Sequence, residues 1–222
     1  MFEKIYYLFH RLLSKPDERG EYSGGYWQDM VRGKTLLLCR GLKGKVLEVG
    51  CGEGLFLVQL VRQNPDLGIW GIDNSDERLS QAKARLSEKN FASKNVNLAR
   101  QEATALSFGD GYFDAVICIN VIFNLESKDI LKGLLFEMAR VCKKRGKIIF
   151  DFRNRANPLL YFKYHLAPLY DGTVKGLPLK TYALEDMVAI SNEAGLEVMD
   201  AAYLGSPIRR LAPIIILEAK KR

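Results

Sequence analysis

The sequence predicts an α/β protein with a mostly parallel sheet, because strand patterns alternate with helix patterns along most of the chain. An apolar, β-branched run from Lys45 to Val49 is typical of a strand that is buried on both faces. It leads into glycines at positions 50, 52 and 54, and an amphipathic segment follows from Leu55 to Val61. A strand that turns through glycines into a helix is typical of nucleotide-binding α/β units, because backbone N–H groups can approach a ligand there and the helix N-terminus carries partial positive charge.

Further strand and helix signals follow in the same alternation. Ser75 and Ser127 are suitable N-cap residues, because each side chain can accept a hydrogen bond from the first turn of the helix behind it. The last two strands have no helix between them, which predicts an antiparallel hairpin at one edge of the sheet. The further predicted strands are Leu67–Asp73, Val96–Arg100, Tyr112–Asn120, Gly146–Asp151, Leu196–Tyr203 and Pro213–Ala219. The predicted helices are Phe2–Leu13, Gln28–Cys39, the segment from Ser75 to about Lys89, the segment after Ser127 with its apolar stripe (Leu131, Leu134, Leu135, Met138, Cys142), and Thr181–Ala194, which Gly195 ends.

The chain is predicted to form one domain with four parts. Residues 1–40 form a helical cap, whose first helix either packs on the domain, which we favour, or lies on a membrane surface. Residues 41–152 form the core, and residues 181–222 form a closing helix and hairpin. Between them, residues 153–180 are rich in proline and aromatic side chains and show no clean period, which is typical of a lid or substrate loop.

Composition narrows the class of protein. The 222 residues suffice for a sizeable core, and no apolar run reaches the roughly 20 residues of a membrane helix. The N-terminal residues show no signal-peptide pattern, and the four cysteines are scattered without a C-x-x-C pair, so we expect reduced thiols in a cytoplasmic protein. With two histidines a metal site is not expected. The net charge of +7 permits RNA, a phospholipid surface or an acidic substrate as partner, although a solvated basic surface explains it more simply.

Four motifs in order carry a family resemblance. They are Glu48-x-Gly50-Cys51-Gly52-x-Gly54, Asp73 at the end of the second strand, Glu102-Ala103 ahead of Leu106-x-Phe108, and Gly111-x-Phe113-Asp114-x-Val116. Together they resemble the class I S-adenosylmethionine-dependent methyltransferases of the small-molecule type, over residues 42–152. The resemblance implies a Rossmann-like three-layer sandwich with a seven-stranded sheet of order 3-2-1-4-5-7-6, in which the last strand is antiparallel. It also implies S-adenosylmethionine as cofactor and S-adenosylhomocysteine as product.

The resemblance also implies roles for individual residues. Glu48 would lie near the amino group of the cofactor, and Asp73 would accept hydrogen bonds from both ribose hydroxyls. Glu102 stands where the family usually has Asp, and Asn74 stands where it often has an apolar residue. Asp114 is interpreted as structural. The residues expected to hold the cofactor are Glu48, Gly50, Cys51, Gly52, Gly54, Asp73, Asn74, Glu102, Ala103, Ile119 and Asn120. Three upstream side chains either cover the cofactor or anchor the N-terminal helices: Tyr22, Trp27 and Arg32.

Catalysis by this family depends mainly on holding the acceptor in line with the methyl group. His165 and Tyr164 are weak candidates for a general base, although a surface histidine in a loop is the simpler interpretation, and the catalytic residue stays unassigned. Where small-molecule members commonly carry a histidine, this chain has Asn124. The Asn-Pro-Pro-Tyr-like tetrapeptide of enzymes that methylate bases and amides is replaced by Asn120-Val121-Ile122-Phe123, which argues against methylation of nucleic-acid bases.

The resulting hypothesis is methyl transfer to an O, N or C atom of a small molecule. The aromatic side chains of residues 153–180 favour an acceptor that is apolar or amphiphilic. One alternative is an RNA or protein methyltransferase, suggested by the net charge. Another is a non-catalytic S-adenosylmethionine-binding module, suggested by the missing histidine. The glycine spacing G-x-G-x-G opposes a nicotinamide dehydrogenase, for which G-x-G-x-x-G is expected. Nucleic acid is not the favoured partner, peripheral membrane contact is compatible with the sequence, and the oligomeric state is not predicted.

Overall fold

A computed structural model describes residues 26–91, 95–158, 160 and 180–222. The helices are α1 (Tyr26–Leu38), α2 (Leu55–Gln63), α3 (Asp76–Glu88), α4 (Lys128–Val141) and α5 (Leu184–Glu193). The strands are β1 (Lys45–Val49), β2 (Gly68–Asp73), β3 (Val96–Arg100), β4 (Phe113–Cys118), β5 (Cys142–Arg153), β6 (Leu196–Leu204) and β7 (Ile214–Lys221). Two short 3₁₀ turns are formed by Ile122–Asn124 and Arg209–Leu211.

The strands form one seven-stranded sheet of order β3-β2-β1-β4-β5-β7-β6, which confirms the predicted order. Neighbours from β3 through β5 pair in parallel, whereas β7 is antiparallel to both β5 and β6. The predicted final hairpin is therefore confirmed. Because β7 reverses between them, β6 runs in the same direction as β5. The ends of β1 to β6 thus lie at one edge of the sheet, the carboxyl edge, where parallel α/β sheets bind their ligands.

Alternating side chains divide the core into two clusters, one on each face of the sheet. On β1, Val46 packs with residues of α1 and α2, while Leu47 and Val49 pack with residues of α4. Because successive side chains of a strand point to opposite faces, Glu48 shares the face of Val46. The sheet and its two helical layers form the predicted three-layer sandwich. The face that carries Glu48 is covered by α1, the helix just upstream of the glycine motif.

The predicted caps and the predicted stripe of α4 are confirmed. Ser75 Oγ accepts a hydrogen bond from the Arg78 N–H at 3.3 Å, and Ser127 Oγ accepts one from the Ile130 N–H at 3.2 Å. Gly195 follows the C-cap residue Ala194 of α5 and takes a φ of 76°, as a helix-ending glycine does. All four cysteines are buried free thiols, as expected from their spacing. Four of the predicted stripe residues lie on α4 and are fully buried, namely Leu131, Leu134, Leu135 and Met138, whereas the fifth, Cys142, is buried as the first residue of β5.

Several predicted boundaries differ from the observed ones, and three of the differences have a local reason. β5 begins at Cys142 rather than at residue 146, because the exposed cations 143–145 conceal the strand in the sequence. β4 ends at Cys118 rather than at Asn120, whose left-handed φ of 58° is incompatible with a strand. α5 begins at Leu184, because the Tyr182 N–H donates to the Arg153 carbonyl at 2.9 Å and is held outside the helix.

Some predictions concern residues outside the described ranges. These are the first helix, Tyr22, and most of the segment from 153 to 180, including Tyr164 and His165. The division into cap, core, loop and closing hairpin therefore stays a prediction. Within the described residues, no helix has the length and apolar character needed to cross a bilayer.

Candidate functional site

The loop between β1 and α2 is bonded to the end of β2. The N–H groups of Gly50 and Cys51 both donate to the Ile72 carbonyl at 2.8 Å, and the Gly52 N–H donates to Asp73 Oδ2 at 2.9 Å. The sequence predicted that glycine N–H groups would approach a ligand. These three N–H groups are instead bonded to the end of β2, which fixes the loop against that strand.

The glycines of this loop are required for different reasons. A side chain at Gly50, whose φ is 75°, would meet Val121 Cγ2 at 2.3 Å, and one at Gly54 would meet Ala82 Cβ at 2.9 Å. These two glycines allow close packing against the β4 end and against α3. At Gly52, with a φ of 50°, an added Cβ would meet nothing within 4 Å. The open space beside the loop therefore lies at Gly52.

Glu48 is a buried carboxyl next to this loop. Its residue is 2% exposed, and Oε2 makes no hydrogen bond among the described residues. Burial raises the pKa of Glu48 well above its ordinary value; the nearby Asp73 raises it further, and Arg32 lowers it. Arg32, a predicted cover residue, is itself buried on α1 and pairs with Asp29 Oδ1 at 3.6 Å. A buried carboxyl with an unused oxygen is suited to bind a cationic group such as an ammonium.

Asp73 is held in a fixed orientation at the end of β2. Oδ2 accepts from the Gly52 N–H at 2.9 Å, and Oδ1 accepts from the Ser75 N–H at 3.1 Å. Each carboxylate oxygen retains further acceptor capacity, because it can take two hydrogen bonds. The Asp73 side chain can therefore hold the loop and still accept from a pair of neighbouring hydroxyls.

Asn120, just beyond β4, is the centre of a partly buried polar network. Its N–H donates to Asp151 Oδ1 at 2.5 Å, its Oδ1 accepts from Arg153 Nη2 at 3.2 Å, and its Nδ2 donates to the Gln28 carbonyl of α1 at 3.4 Å. Arg153 Nη1 also donates to Asp151 Oδ2 at 2.6 Å, and the guanidinium lies 4.3 Å from the ring centre of Phe123. This network fixes Asn120 in its left-handed conformation and joins α1 to the ends of β4 and β5.

The sequence analysis missed Asp151 and Arg153. Both are almost fully buried, and they form an ion pair at the carboxyl end of β5. Burial raises the pKa of Asp151, and the positive charge of Arg153 opposes that rise. The available signal was two opposite charges at alternate positions at the end of an apolar strand, which places both on one face of the sheet.

The loop after β3 is held by α4, through residues that the sequence analysis also missed. The Leu106 N–H donates to Glu137 Oε2 at 2.7 Å, and Arg140 donates to the carbonyls of Leu106 and Phe108 at 2.8 Å each. The hydrogen bonds from Arg140 lower the pKa of Glu137. The loop therefore has a defined path, along which Glu102 is exposed and the neighbouring alanine is half-buried.

Most of the remaining predicted residues lie at the carboxyl edge of the sheet or next to it. Gly50, Asp73, Glu102 and Asn120 each lie at or just beyond the end of one of four adjacent parallel strands, so they share the carboxyl edge. Asn74 is exposed there, Ile119 is buried, and Trp27 packs from α1 against the core. Asp114 lies at the opposite edge, where it accepts from the Lys45 N–H at 2.8 Å and pairs with Lys143 at 2.6 Å, which fits a structural role. The described residues hold no group of three His, Cys, Asp or Glu side chains arranged for a metal ion.

Comparison with known proteins gives consistent results. The model of a family described as "Methyltransferase domain" matches residues 46–146. The phosphatidylethanolamine N-methyltransferase of Cereibacter sphaeroides is 30% identical over 149 residues, which are 66% of this chain and 70% of that protein. The demethylmenaquinone methyltransferase of Lactococcus lactis subsp. lactis (strain IL1403) is 29% identical over 149 residues, which are 66% of this chain and 57% of that protein.

Solved structures share the fold at low sequence identity. The magnesium protoporphyrin IX methyltransferase (ChlM) of Synechocystis PCC 6803, solved with bound S-adenosylhomocysteine, superposes with a TM-score of 0.71 at 16% identity, over 100% of this chain and 96% of that one. The PH0226 protein of Pyrococcus horikoshii OT3 superposes with a TM-score of 0.70 at 19% identity, over 98% of this chain and 99% of that one. At such identities the likeness shows the fold alone.

The raised pKa of Glu48 predicts a pH-dependent cost to folding. Above the ordinary pKa of 4.5, the unfolded chain releases the Glu48 proton while the folded chain keeps it, so the unfolding free energy falls as pH rises towards the raised pKa. The variant Glu48→Gln has no ionisable group at this position, so its unfolding free energy does not fall for this reason. We expect its stability relative to wild type to increase as pH rises above about 5, with a slope of at most about 1.4 kcal/mol per pH unit. Urea unfolding of both proteins at several pH values measures this, and Glu88→Gln, at the exposed end of α3, is the control. A difference that does not vary with pH would contradict the assigned environment of Glu48.

The Asp151–Arg153 pair predicts a strong coupling between two substitutions. Arg153→Met leaves the Asp151 carboxylate buried without its cation, and we expect a loss of about 3–5 kcal/mol of unfolding free energy. Adding Asp151→Asn removes that uncompensated charge and retains an acceptor for the Asn120 N–H, so the double variant should recover more than half of the loss. Arg155→Met is the control, because the Arg155 side chain is 54% exposed and its ion pair should contribute about 1 kcal/mol or less. Additive effects of the two substitutions in denaturant unfolding would refute the coupling.

Proposed function

Because the chain belongs to the class I S-adenosylmethionine-dependent methyltransferases of the small-molecule type, we propose that it methylates an amphiphilic small molecule at the carboxyl edge of its sheet. Its cofactor is S-adenosylmethionine. When bound, the cofactor supplies a methyl group on a positively charged sulfur, which leaves readily. The observation that carries cofactor binding at this edge is the buried Glu48 carboxyl, whose Oε2 makes no hydrogen bond among the described residues and which lies on the strand that leads into the glycine loop.

The residues at this edge fit the parts of the cofactor. Glu48 offers a carboxylate to an ammonium group, and a cationic partner would favour its ionised form over the neutral form that burial favours. Asp73 offers two oriented oxygens to a pair of ribose hydroxyls. Glu102 and Ala103 lie on the loop that α4 holds in place, where an adenine edge would meet a side-chain acceptor and a backbone N–H. These assignments extend the sequence prediction and are tested by the binding measurements proposed below.

The contribution of the protein to the reaction is positioning. Displacement at a sulfonium needs the acceptor atom in line with the methyl group, and most of the rate comes from holding that geometry without water. Asn120 is fixed from three sides, by Asp151, by Arg153 and by the carbonyl of Gln28. This rigid corner is suited to border the methyl group, and Phe123 beside it is 8% exposed and excludes water. His165 and Tyr164 stay candidates for a base.

Relatives and sequence together support an amphiphilic acceptor. By their names, the relatives include a phosphatidylethanolamine N-methyltransferase, several demethylmenaquinone methyltransferases and a ubiquinone/menaquinone C-methyltransferase. These acceptors combine a small polar head with a long apolar part. The segment from 153 to 180 carries aromatic residues suited to an apolar acceptor: Tyr161, Phe162, Tyr164 and Tyr170. The relatives include proteins named as N-, C- and O-methyltransferases, so their names do not indicate one acceptor atom. The acceptor atom has to be identified from the structure of the methylated product.

Transfer of labelled methyl groups from S-adenosylmethionine tests the proposal. The full chain is assayed with phosphatidylethanolamine and with a demethylated polyprenyl quinol in detergent micelles, with a tailless quinol, and with transfer RNA. We expect transfer to one of the two tailed acceptors and at least tenfold less to the others. Transfer to RNA alone would support the alternative of a nucleic-acid enzyme, and cofactor binding without any transfer would support a non-catalytic module.

Asp73 provides an internal control for this assay. Asp73→Ala removes two charge-assisted hydrogen bonds worth about 1.5–3 kcal/mol each, so kcat/KM for S-adenosylmethionine should fall by well over tenfold. Asp76→Ala removes an acid three residues further on, whose side chain is 70% exposed, and should leave the rate unchanged. Equal rates for the two variants would remove Asp73 from the cofactor site.

A further inference from the structure

The turn between β6 and β7 exposes both apolar and cationic side chains. We call residues Ile208–Leu211 the β6–β7 tip. Ile208 is 58% exposed and Leu211 is 38% exposed, and Arg209 and Arg210 between them are exposed as well. The other large exposed apolar side chains of the described residues lie apart from one another on α1, α4 and β6. No acidic residue occurs between Asp200 and Glu218, so the tip is purely basic and apolar.

The backbone of the tip is firmly held although its side chains are exposed. Asn154 Nδ2 donates to the carbonyls of Arg210 at 3.1 Å and Ala212 at 2.9 Å, and Asn157 Nδ2 donates to the carbonyl of Leu211. Both asparagines are buried. Inside the tip, the Leu211 N–H donates to the Ile208 carbonyl at 2.9 Å. Because buried asparagine side chains hold the backbone of the turn, Ile208 and Leu211 stay at the surface. A loop without such hydrogen bonds could fold these apolar side chains away from water.

The tip lies at the same edge of the sheet as the candidate site. β6 runs in the direction of β5, so the turn that follows β6 projects from the carboxyl edge. Asn154, which holds the tip, directly follows Arg153, which holds Asn120. A surface that docks on the tip would therefore face the edge at which the acceptor has to enter.

We infer that the β6–β7 tip docks on an anionic lipid bilayer, with Ile208 and Leu211 inserted among the headgroups and both arginines bound to lipid phosphates. The inference rests on the proposed function in one respect, namely that the bilayer is the source of the amphiphilic acceptor. Two apolar side chains are too few for a stable protein interface, which buries at least about 1,200 Å² in total. A bilayer contact works with a small apolar insertion combined with cations at the anionic surface. The net charge of +7 adds to that attraction.

Sedimentation with vesicles tests the inference on the full chain. Vesicles of phosphatidylcholine alone are compared with vesicles that also contain phosphatidylglycerol. We expect binding to the anionic vesicles, and a partition coefficient about tenfold lower for the double variant Ile208→Ser/Leu211→Ser. Arg209→Gln/Arg210→Gln should lower it about fivefold per arginine on anionic vesicles, and by less on neutral ones. The control for the apolar variant is Phe136→Ser, because Phe136 on α4 is 48% exposed. The control for the arginine variant is Arg62→Gln/Lys83→Gln, at exposed helical positions. Both controls should bind vesicles as the wild type does.

Activity distinguishes failure of this inference from failure of the proposed function. The tip variants should keep wild-type methyl transfer to a micellar acceptor and lose transfer to the same acceptor embedded in vesicles, in proportion to their lost binding. Wild-type sedimentation by the tip variants would overturn the inference, because another part of the chain would then carry the contact. Weakened binding of the arginine variant to transfer RNA with unchanged vesicle binding would also overturn it. Absence of transfer to every micellar acceptor would instead refute the proposed function.

Discussion

The site depends on the junction between the glycine loop and the end of β2. Three consecutive N–H groups, of Gly50, Cys51 and Gly52, bond to the Ile72 carbonyl and the Asp73 carboxylate. This junction stabilises a turn that left-handed glycines permit, it orients Asp73, and it leaves open space above Gly52. The arrangement explains why an acid ends the second strand: its carboxylate holds the loop and keeps acceptor capacity for a ligand.

Buried charge is the second constraint on the structure. Glu48 has a raised pKa and an oxygen without a hydrogen bond among the described residues, so it costs folding free energy in the free protein. A purely structural position would be better filled by a neutral side chain. Asp151 and Arg153 are buried as well, but they are paired and bonded to Asn120. The candidate site thus combines a bonded polar network around Asn120 with a buried carboxyl that keeps one oxygen without a hydrogen bond among the described residues.

Sequence reasoning predicted the parts of this structure that local patterns determine. Both serine caps, most of the buried stripe of α4 and the positions of Glu48 and Asp73 follow from periodicity and from motifs within short windows, whereas the strand order was implied by the family resemblance. The network around Asn120 could not be predicted, because its partners are 31 and 33 residues away and meet only when β5 pairs with β4. The start of β5 was hidden by exposed lysines, since an exposed strand segment has no apolar signal. The exposed arrangement of the β6–β7 tip could not be predicted either, because it depends on hydrogen bonds from Asn154, which is more than 50 residues away in the chain.

We propose that Glu48 and Asp73 hold different parts of one cofactor. Calorimetric titration with S-adenosylhomocysteine and with 5′-methylthioadenosine, which lacks the amino-acid part, tests it most directly, with NAD as a control that should not bind. We expect Glu48→Gln to lower the affinity for S-adenosylhomocysteine about tenfold and to leave the affinity for 5′-methylthioadenosine unchanged. Asp73→Asn should lower the affinity for both ligands. If Glu48→Gln lowered both affinities equally, or lowered neither, the proposed roles would be contradicted, and binding of NAD alone would show that the glycine loop binds another nucleotide.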